Sequence, residues 1–387
     1  FITFGPEIAF YMTSDGSVYR GILSLSNELY FTDPITGVLR KDNKWIDGAG
    51  ETYIVSEVLS GVGSDAPLYF VNSTGRLYHD RFITFGPEIA FYMTSDGSVL
   101  RGGIVPRGNE LCFTDPTTGV VRRDDSWIDE TGKTYTLSEV LSGEGSDLPL
   151  YYVNSEGYLY RNRFITLEQE STFYMGEDGS VKRGVFAIGP NVYLTDEVTG
   201  LLLQKDFLIN RIVNKKYPHD PLKYRPTDLV EVGNREQYLR KEAAEAFNEM
   251  NAAARSDGYP LTGYSGFRSY ETQSSIYNRY VNNYGRSNAD TFSARPGYSE
   301  HQLGLAMDIS DGSSGEFENT GQYRWLLKNA HKYGWILRYP KGSEAITGYV
   351  FESWHWRYIG VSEATRFYNS DYNTLEEFYS IEGGGYR

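Results

Sequence analysis

Cysteine is almost absent from this chain. Only Cys112 occurs among 387 residues, which excludes a framework of intrachain disulfides. Long apolar runs are missing as well, and no stretch approaches the roughly 18 consecutive apolar residues of a membrane-spanning helix. The sequence opens at Phe1 with neither Met nor an apolar leader, so we expect a secretion signal to be removed or to lie outside it.

Basic residues are scarce in the first half. Residues 1–208 hold 16 Lys and Arg against 29 Asp and Glu, whereas the remainder is nearly balanced at 21 against 22. Almost the whole formal net charge of −14 therefore lies in residues 1–208. Because phosphate backbones are bound by clustered Lys and Arg, this balance argues against nucleic acid and other polyanions as partners.

The same half is repetitive. Residues 1–12 recur word for word as residues 82–93, and a diverged copy begins at Phe164. Aromatic pairs, polar turns with Asp or Asn and Gly, and short aliphatic segments alternate between these copies, a pattern typical of β-hairpins. One hairpin cannot bury its apolar face alone, so successive hairpins should stack. The pattern predicts an all-β hairpin-repeat solenoid over residues 1–208.

The repeats resemble the choline-binding and glucan-binding repeats of bacterial surface proteins. Those repeats usually carry Trp in the ligand cage, whereas residues 1–208 contain only Trp45 and Trp127. The resemblance implies cell-wall binding, to wall glycan or to a cationic substituent of a wall polymer, and a spacer without a ligand is the alternative. The candidate stacking surfaces are three aromatic pairs, Phe10-Tyr11, Phe91-Tyr92 and Phe173-Tyr174.

Residues 209–365 change character and predict an α+β domain. Apolar residues recur at helical spacing across residues 235–250, which predicts a helix, and residues 270–284 predict a second one. Residues 303–309 indicate a short buried strand. Helix and strand are mixed without βαβ regularity, which favours the α+β class. The remaining residues, 366–387, are expected to form a C-terminal tail.

Histidine is rare too, and two of the five His lie in segments that hold a candidate carboxylate. His301 stands in Tyr-Ser-Glu-His-Gln-Leu-Gly-Leu-Ala-Met-Asp, which ends at Asp308, and His355 stands in Phe-Glu-Ser-Trp-His-Trp-Arg, which contains Glu352. A zinc hydrolase needs such a set, with three ligands and a further carboxylate that accepts a proton from water. Neither stretch has the His-Glu-x-x-His helix pattern, so spacing alone leaves ordinary buried or surface histidines as an equal alternative.

The pattern Ser-x-His-x-x-Gly-x-Ala-x-Asp, followed later by Glu-x-Trp-His, resembles the VanY/LdcB group of zinc carboxypeptidases, which trim the stem peptides of bacterial peptidoglycan. Further matching segments, such as Ser-Gly-Phe-Arg-Ser, extend the resemblance over residues 212–360. It implies Zn²⁺ as the cofactor, with His301, Asp308 and His355 as ligands. It also implies Glu352 as the catalytic base.

Both motifs carry local structural predictions. Glu352 and His355 are three residues apart, so their side chains would point to opposite faces of a regular strand, and we expect a turn or bulge between them. Gly304 is expected to allow close backbone approach near the ion. Trp354 and Trp356 are expected to pack the walls of the site.

A carboxypeptidase must also bind a free carboxylate, for which the guanidinium fork of Arg is suited. Arg268 is the candidate by its position in the resemblance, with Gln273 and Ser299 as neutral partners. A structural ion pair is the alternative role for Arg268. Arg338 and Arg357 are weaker candidates, for which structural roles are favoured.

The resemblance implies an extracellular, wall-associated zinc D,D-carboxypeptidase that removes the C-terminal D-Ala from peptidoglycan stem peptides. Three alternatives stay open: an L,D-carboxypeptidase acting on tetrapeptide stems, a peptidoglycan endopeptidase, and a non-enzymatic wall-binding adhesin. An endopeptidase would not need a carboxylate-binding Arg. In the adhesin alternative the zinc domain would have lost its activity, and it would then have no chemical reason to keep Glu352.

Overall fold

Two compact units make up the chain. The computed structural model describes residues 1–5, 8–203, 209–233, 236–313 and 315–386. The first unit comprises Phe1–Gly184 and Thr195–Leu202, and the second comprises Val185–Leu194 and Leu203–Arg387. The first unit is rich in β-strands and the second mixes helices with antiparallel strands, which is the two-part organisation expected from the sequence.

The first unit consists of short antiparallel strands and two short helices. Its strands are β1 (Ile2–Phe4), β2 (Ile8–Phe10), β3 (Gly21–Leu25), β4 (Glu28–Thr32), β5 (Lys44–Asp47), β6 (Thr52–Tyr53), β7 (Leu68–Val71), β8 (Arg76–Leu77), β9 (Arg81–Phe85), β10 (Ile89–Met93), β11 (Gly103–Arg107), β12 (Glu110–Thr114), β13 (Ser126–Asp129), β14 (Thr134–Tyr135), β15 (Leu150–Val153), β16 (Arg163–Thr166) and β17 (Thr172–Met175). Its helices are α1 (Val55–Leu59) and α2 (Leu137–Leu141), with a 3-10 turn at Glu168–Glu170. Strands adjacent in sequence pair as hairpins, for example β9 with β10 and β16 with β17.

Tryptophan lies inside the repeats and not on their surface. Trp45 packs against Phe91 at 4.7 Å between ring centroids, and Trp127 packs against Phe173 at 4.9 Å. All four side chains are buried. The prediction that the aromatic pairs form exposed stacking surfaces is therefore wrong for Phe91 and Phe173, because these rings complete the core beneath the preceding tryptophan.

The second unit is an α+β domain. Its strands are β18 (Val185–Ile188), β19 (Asn191–Leu194), β20 (Leu229–Val232), β21 (Gln237–Arg240), β22 (Thr262–Ser265), β23 (Ala306–Ser310), β24 (Trp335–Leu337) and β25 (His355–Tyr358). Its helices are α3 (Lys241–Ser256), α4 (Tyr270–Tyr284), α5 (Arg286–Phe292), α6 (Gly321–Asn329), α7 (Glu344–Thr347), α8 (Val361–Tyr368) and α9 (Leu375–Phe378), with 3-10 turns at Glu300–Leu303, Phe317–Asn319 and Ala330–Tyr333. The central antiparallel sheet has the order β22-β23-β25-β24.

The main core of this unit lies between α3 and the central sheet. Phe247 and Met250 on one face of α3 join Met307 and Ile309 of β23 in a single apolar cluster. Side chains alternate along a strand, so the residue between these two, Asp308, projects from the opposite face. The sheet thus keeps one face apolar and frees the other for polar groups.

The helix predicted over residues 235–250 begins only at Lys241. Residues Gln237–Arg240 instead pair with Leu229–Val232 as a hairpin, so the start of the prediction is wrong. The helix predicted over residues 270–284 is confirmed as α4. Within the described residues, no helix has the length and apolar character needed to cross a membrane.

Residues 366–386 are part of the second unit. Leu375 and Ile381 are buried in a further apolar cluster that includes Ile336 and Ile359 from around the central sheet. Val192 of β19 lies in the same cluster. Both the C-terminal residues and the β18–β19 hairpin therefore contribute to the core of this unit.

Candidate metal centre and substrate cavity

The centre of the four-stranded sheet brings the candidate ligands together. Asp308 on β23 and His355 at the start of β25 are direct cross-strand partners. His301 lies on the 3-10 turn that leads into β23. Two adjacent strands and one turn therefore supply all three side chains.

The three candidate ligands form one compact cluster. Nε2 of His301 lies 3.4 Å from Oδ1 of Asp308, and Nδ1 of His355 lies 3.5 Å from the same oxygen. One donor atom from each residue lies within 4.8 Å of the others, and all three residues are buried. Two imidazoles and one carboxylate at this spacing can hold a divalent ion.

Unpaired atoms in the cluster fit a bound zinc ion. Nδ1 of His301 lies 2.8 Å from the carbonyl oxygen of Gly266. The carbonyl oxygen can only accept a hydrogen bond, so the ring proton is on Nδ1 and the lone pair is on Nε2. This Nε2 and Oδ1 of Asp308 are buried, and neither has a hydrogen-bond partner among the described atoms. Buried polar atoms are rarely left unpaired, because their desolvation is then uncompensated. A cation would satisfy both atoms, and imidazole with carboxylate is a donor set that zinc accepts.

Glu352 lies beside the cluster because of a turn. The backbone N–H of His355 donates to the carbonyl oxygen of Glu352 at 3.3 Å, with Ser353 and Trp354 at the corner. This turn confirms the irregularity expected between the two residues. It places Oε2 of Glu352 3.4 Å from Nδ1 of His355.

The charges of the cluster suit metal binding and proton transfer. Burial and the nearby charge of Arg268 together lower the pKa of His301 to about 4. Burial disfavours the charge of Asp308, but its interactions with His301, His355 and Arg268 hold its pKa at about 2. His301 is therefore neutral and Asp308 anionic at pH 7, the forms that bind a metal.

The two remaining groups have raised pKa values. Burial raises the pKa of the Glu352 carboxyl, the direction that makes a carboxylate a stronger base. Burial opposes the charge of His355, but its interactions with the Glu300 and Glu352 carboxylates outweigh this and raise its pKa to about 9. His355 is thus held between two carboxylates.

The cluster opens into a cavity of about 510 Å³. The wall of the cavity includes the three predicted substrate-binding residues, Arg268, Gln273 and Ser299. It also includes aromatic side chains, namely Tyr264, Tyr280, Phe292, Tyr339, Tyr349 and Trp354. Polar groups at the metal cluster and aromatic walls around them are typical of a site that orients a small polar ligand.

Arg268 has no acidic partner among the described residues. Its backbone N–H donates to the carbonyl oxygen of His301 at 3.2 Å, which fixes it beside the ligand-bearing turn. Its Nε is buried and without a hydrogen-bond partner. The structural ion pair considered as an alternative is thus not present in the part of the chain that is described. The guanidinium remains available to a carboxylate of a ligand.

Gln273 and Ser299 are held in place by backbone groups. Nε2 of Gln273 donates to the carbonyl oxygen of Ala294 at 2.7 Å, while its Oε1 is buried without a partner in the described structure. The carbonyl oxygen of Ser299 accepts a hydrogen bond from Nε2 of His219 at 2.9 Å. Both residues therefore present fixed polar groups to the cavity.

Arg338 and Arg357 have structural partners. Nε of Arg338 and Nη1 of Arg357 donate to Oε1 of Glu300 at 2.9 and 2.8 Å. Arg338 also binds both carboxylate oxygens of Glu376. Glu300 was not among the predicted site residues, although it stands directly before His301 in the motif.

Gly304 joins the turn bearing His301 to a neighbouring hairpin, and its N–H donates to the carbonyl oxygen of His301 at 3.1 Å. Its φ is 71°, and a Cβ there would lie 3.0 Å from Cδ2 of Leu229 and 3.1 Å from Cγ of Arg240. The N–H of Arg240 donates to the carbonyl oxygen of Gly304 at 2.9 Å. The close backbone approach seen at Gly304 is therefore to the β20–β21 hairpin, and an approach near the ion stays a prediction.

The two motif tryptophans differ in placement. Trp354 is 37% exposed and lines the cavity, as expected. Trp356 is buried in the core beneath the sheet, and its Nε1 donates to the carbonyl oxygen of Ser353 at 3.1 Å. The wall role predicted for Trp356 is wrong, because neighbouring side chains on β25 face opposite sides and His355 faces the cavity.

Known proteins are similar to the chain over the region that forms the cavity. Residues 236–361 match the VanY family model, described as D-alanyl-D-alanine carboxypeptidase. The YodJ protein of Bacillus subtilis (strain 168), which is named as a carboxypeptidase, is 36% identical over 274 residues, covering 65% of this chain and 97% of that protein. The LdcB LD-carboxypeptidase structure is 42% identical, with a TM-score of 0.42, and covers 45% of this chain and 87% of that one. A mutant of the D,D-pentapeptidase VanY in complex with Zn(II) is 34% identical, with a TM-score of 0.39, over 43% of this chain and 96% of that one.

Proposed function

The chain belongs to the VanY family of carboxypeptidases, and from this premise we propose that it is a zinc-dependent D,D-carboxypeptidase that removes the C-terminal D-Ala from peptidoglycan stem peptides. One observation carries the proposal. A single cavity contains a three-residue metal-binding cluster, a buried carboxyl group beside it, and an arginine without an acidic partner in the described residues. These are the parts that hydrolysis of a C-terminal peptide bond requires.

In this proposal His301, Asp308 and His355 hold the zinc ion. A bound zinc ion supplies Lewis-acid chemistry, since it polarises a carbonyl group and makes water easier to deprotonate. Glu352 accepts a proton from the attacking water as the water oxygen bonds to the carbonyl carbon. The C–N bond then breaks, and Glu352 delivers the proton to the leaving amine of D-Ala.

Arg268 binds the terminal carboxylate of the substrate. Its planar guanidinium can donate to both carboxylate oxygens, which sets the distance from the chain end to the bond that is cut. Gln273 and Ser299 add neutral polar contacts from the same wall. Arg268 is itself joined to the turn bearing His301, because its backbone N–H donates to the carbonyl oxygen of His301.

L,D-carboxypeptidase activity is the alternative specificity. Tetrapeptide and pentapeptide stems both end in D-Ala, so the terminal carboxylate and methyl group offered to Arg268 are the same. The two substrates differ in the residue that supplies the scissile carbonyl. The D,D assignment is supported by the description of the matching family model.

Product analysis tests this proposal. The whole protein loaded with zinc is incubated with synthetic pentapeptide and tetrapeptide stems, and products are identified by mass spectrometry. We expect the pentapeptide to lose one D-Ala and the resulting tetrapeptide to persist. Faster conversion of tetrapeptide to tripeptide would overturn the D,D assignment in favour of L,D. The control variant is Glu249→Gln, which changes an exposed glutamate on α3 and should give the same products as the parent protein.

An endopeptidase and an adhesin remain as candidates of other kinds. An endopeptidase must accept chain beyond the scissile bond, so it would cut peptides whose C-terminal carboxylate is amidated. An adhesin would release no amino acid from either stem peptide. The products from free and amidated peptides therefore separate all three.

The repeats are proposed to stack as a β-solenoid and to hold the enzyme at the outside of the cell, on the wall. Support comes from bridges between successive hairpins, such as Phe10 with Val38 and Phe91 with Val120, and from the acidic charge of residues 1–208. Sedimentation of the whole protein with purified walls, with and without excess choline, tests the binding. Failure to sediment would leave the repeats as a spacer.

A further inference from the structure

The two nitrogens of His355 face different carboxylates. Nδ1 lies 3.5 Å from Oδ1 of Asp308 and 3.4 Å from Oε2 of Glu352, and so faces the metal cluster and the proposed base. Nε2, on the other side of the ring, lies 3.7 Å from Oε2 of Glu300. Both Nε2 and Oε2 are buried and have no hydrogen-bond partner among the described atoms. If the two atoms moved slightly closer together, they would form an N–H···O hydrogen bond.

Glu300 is fixed as an anion by two arginines. Nε of Arg338 and Nη1 of Arg357 both donate to its Oε1, at 2.9 and 2.8 Å. The side chains of Glu300, Arg338 and Arg357 are all 0% exposed. A carboxylate between two guanidinium groups stays ionised and can only accept hydrogen bonds. Because both arginines use Oε1, Oε2 is left for His355.

We propose that Glu300 is a positioning residue that keeps the ring proton of His355 on Nε2 and thereby presents the lone pair of Nδ1 to the metal. A neutral imidazole carries one N–H and one lone pair, and the partner of one nitrogen decides the state of the other. Nδ1 also faces the carboxylates of Asp308 and Glu352, but with a metal ion at Nδ1 the one ring proton is on Nε2, where an acceptor-only partner stabilises it. This inference rests on the proposed metal-binding role of His355.

The two histidines of the cluster are thus oriented in opposite senses. The carbonyl oxygen of Gly266 accepts from Nδ1 of His301, so His301 offers Nε2 to the metal. Glu300 accepts from Nε2 of His355, so His355 offers Nδ1. Each ligand nitrogen is selected by an acceptor on the far side of its ring, an arrangement that strengthens metal binding by raising ligand basicity.

Glu300→Gln reverses the hydrogen-bonding character at this position. The two arginine donors require an oxygen at the Oε1 position, so the new amide must place its NH₂ group towards Nε2 of His355. A donor there conflicts with the N–H that metal binding through Nδ1 requires. We expect zinc affinity to fall by about 10- to 100-fold, the usual effect of removing an outer-shell partner of a ligand.

Glu376→Gln is the matched control. Glu376 is another buried carboxylate of the same network, since it binds Arg338 at 2.8 and 2.7 Å, and among the described contacts it has none with His355. We expect this variant to be destabilised in thermal unfolding as much as Glu300→Gln is. Its zinc affinity should stay within about threefold of the parent, because the partner of His355 is unchanged.

The experiment uses the full chain and two readouts that do not depend on turnover. Zinc affinity is measured by competition with a chelating indicator of known affinity. Nitrogen-15 NMR of the zinc-loaded parent then shows which nitrogen of His355 carries the proton, with the resonance assigned by its loss in His355→Gln. We expect an N–H at Nε2 with a low-field proton, and loss of that low-field shift in Glu300→Gln.

Three results would overturn the inference. A proton on Nδ1 of His355 in the zinc-loaded parent is one, and it decides the matter even when Glu300→Gln does not fold. Unchanged zinc affinity in a folded Glu300→Gln protein is the second, and equal losses of affinity in Glu300→Gln and Glu376→Gln are the third. A parent that binds zinc but cleaves no stem peptide would refute the proposed function and leave this inference standing.

Discussion

Replacing Arg268 by Ala should remove the preference for a free C-terminal carboxylate. The guanidinium is half-buried in the cavity wall, and its Nε has no partner among the described atoms. A substrate carboxylate would therefore meet a charged fork that forms no ion pair with a carboxylate of the described residues, although Asp308 and Glu352 lie within range of its charge. An amidated peptide end gains much less from this fork, because it carries no charge.

The expected magnitude follows from the bonds that are lost. A hydrogen bond to a charged group contributes about 1.5–3 kcal/mol, which corresponds to about 10- to 150-fold in kcat/KM. Arg268→Lys keeps the charge and loses the planar fork, so we expect a smaller loss. Arg286→Ala, an exposed arginine on α5, is the control and should leave both activities unchanged.

The assay compares kcat/KM for stem peptides ending in D-Ala with a free or an amidated carboxylate, followed by mass spectrometry. The parent should prefer the free acid by about tenfold or more, and Arg268→Ala should cut both poorly and at similar rates. The control variant should keep the preference of the parent. A parent that cuts amidated peptides as well as free ones would refute the exopeptidase reasoning and favour an endopeptidase.

Other predictions concern the metal, the base and the domains. His301→Ala should lose tightly bound zinc, and elemental analysis that still finds one equivalent of zinc would contradict its role as a ligand. Glu352→Gln should keep zinc and fold but lose about 10²-fold or more in turnover, so near-normal turnover would remove it as the base. Burial raises the pKa of Glu352, and a protonated carboxyl cannot accept a proton. The kcat/KM of the parent protein should therefore fall as the pH drops through that raised pKa. A kcat/KM that stays constant at acidic pH would contradict this role. A protein of residues 185–387 should cut soluble peptides and no longer sediment with walls, whereas residues 209–387 should also be less stable, because Val192 and its hairpin are lost from the core. Equal sedimentation of the truncated and whole proteins would make the repeats a spacer.

Local patterns predicted the features that depend on neighbouring residues. The helix over residues 270–284 follows from its own apolar spacing, and α4 has those bounds. The turn between Glu352 and His355 follows from an odd spacing on what would otherwise be a strand. The predicted helix start at residue 235 was wrong because Gln237–Arg240 pairs as a strand with a separate segment, Leu229–Val232.

Features that depend on distant residues were not predictable from the sequence. Glu300 stands next to His301, but its partners Arg338 and Arg357 are 38 and 57 residues away. Nothing in the motif showed that two arginines hold this carboxylate or that it faces His355. The three residues that the resemblance groups as ligands lie together in the structure, while the packing roles of Gly304 and Trp356 required the tertiary structure.

The packing of tryptophan on the next hairpin has a consequence for how the repeat region can change. Residues 82–93 lie under Trp45 and the diverged copy from Phe164 lies under Trp127, so each junction between periods uses the same contact. Removal of residues 82–163 would place the Phe164 hairpin after Trp45, with a ring of the same kind at the same place. Whole periods can therefore be gained or lost by recombination between the repeated segments without creating an unfilled core.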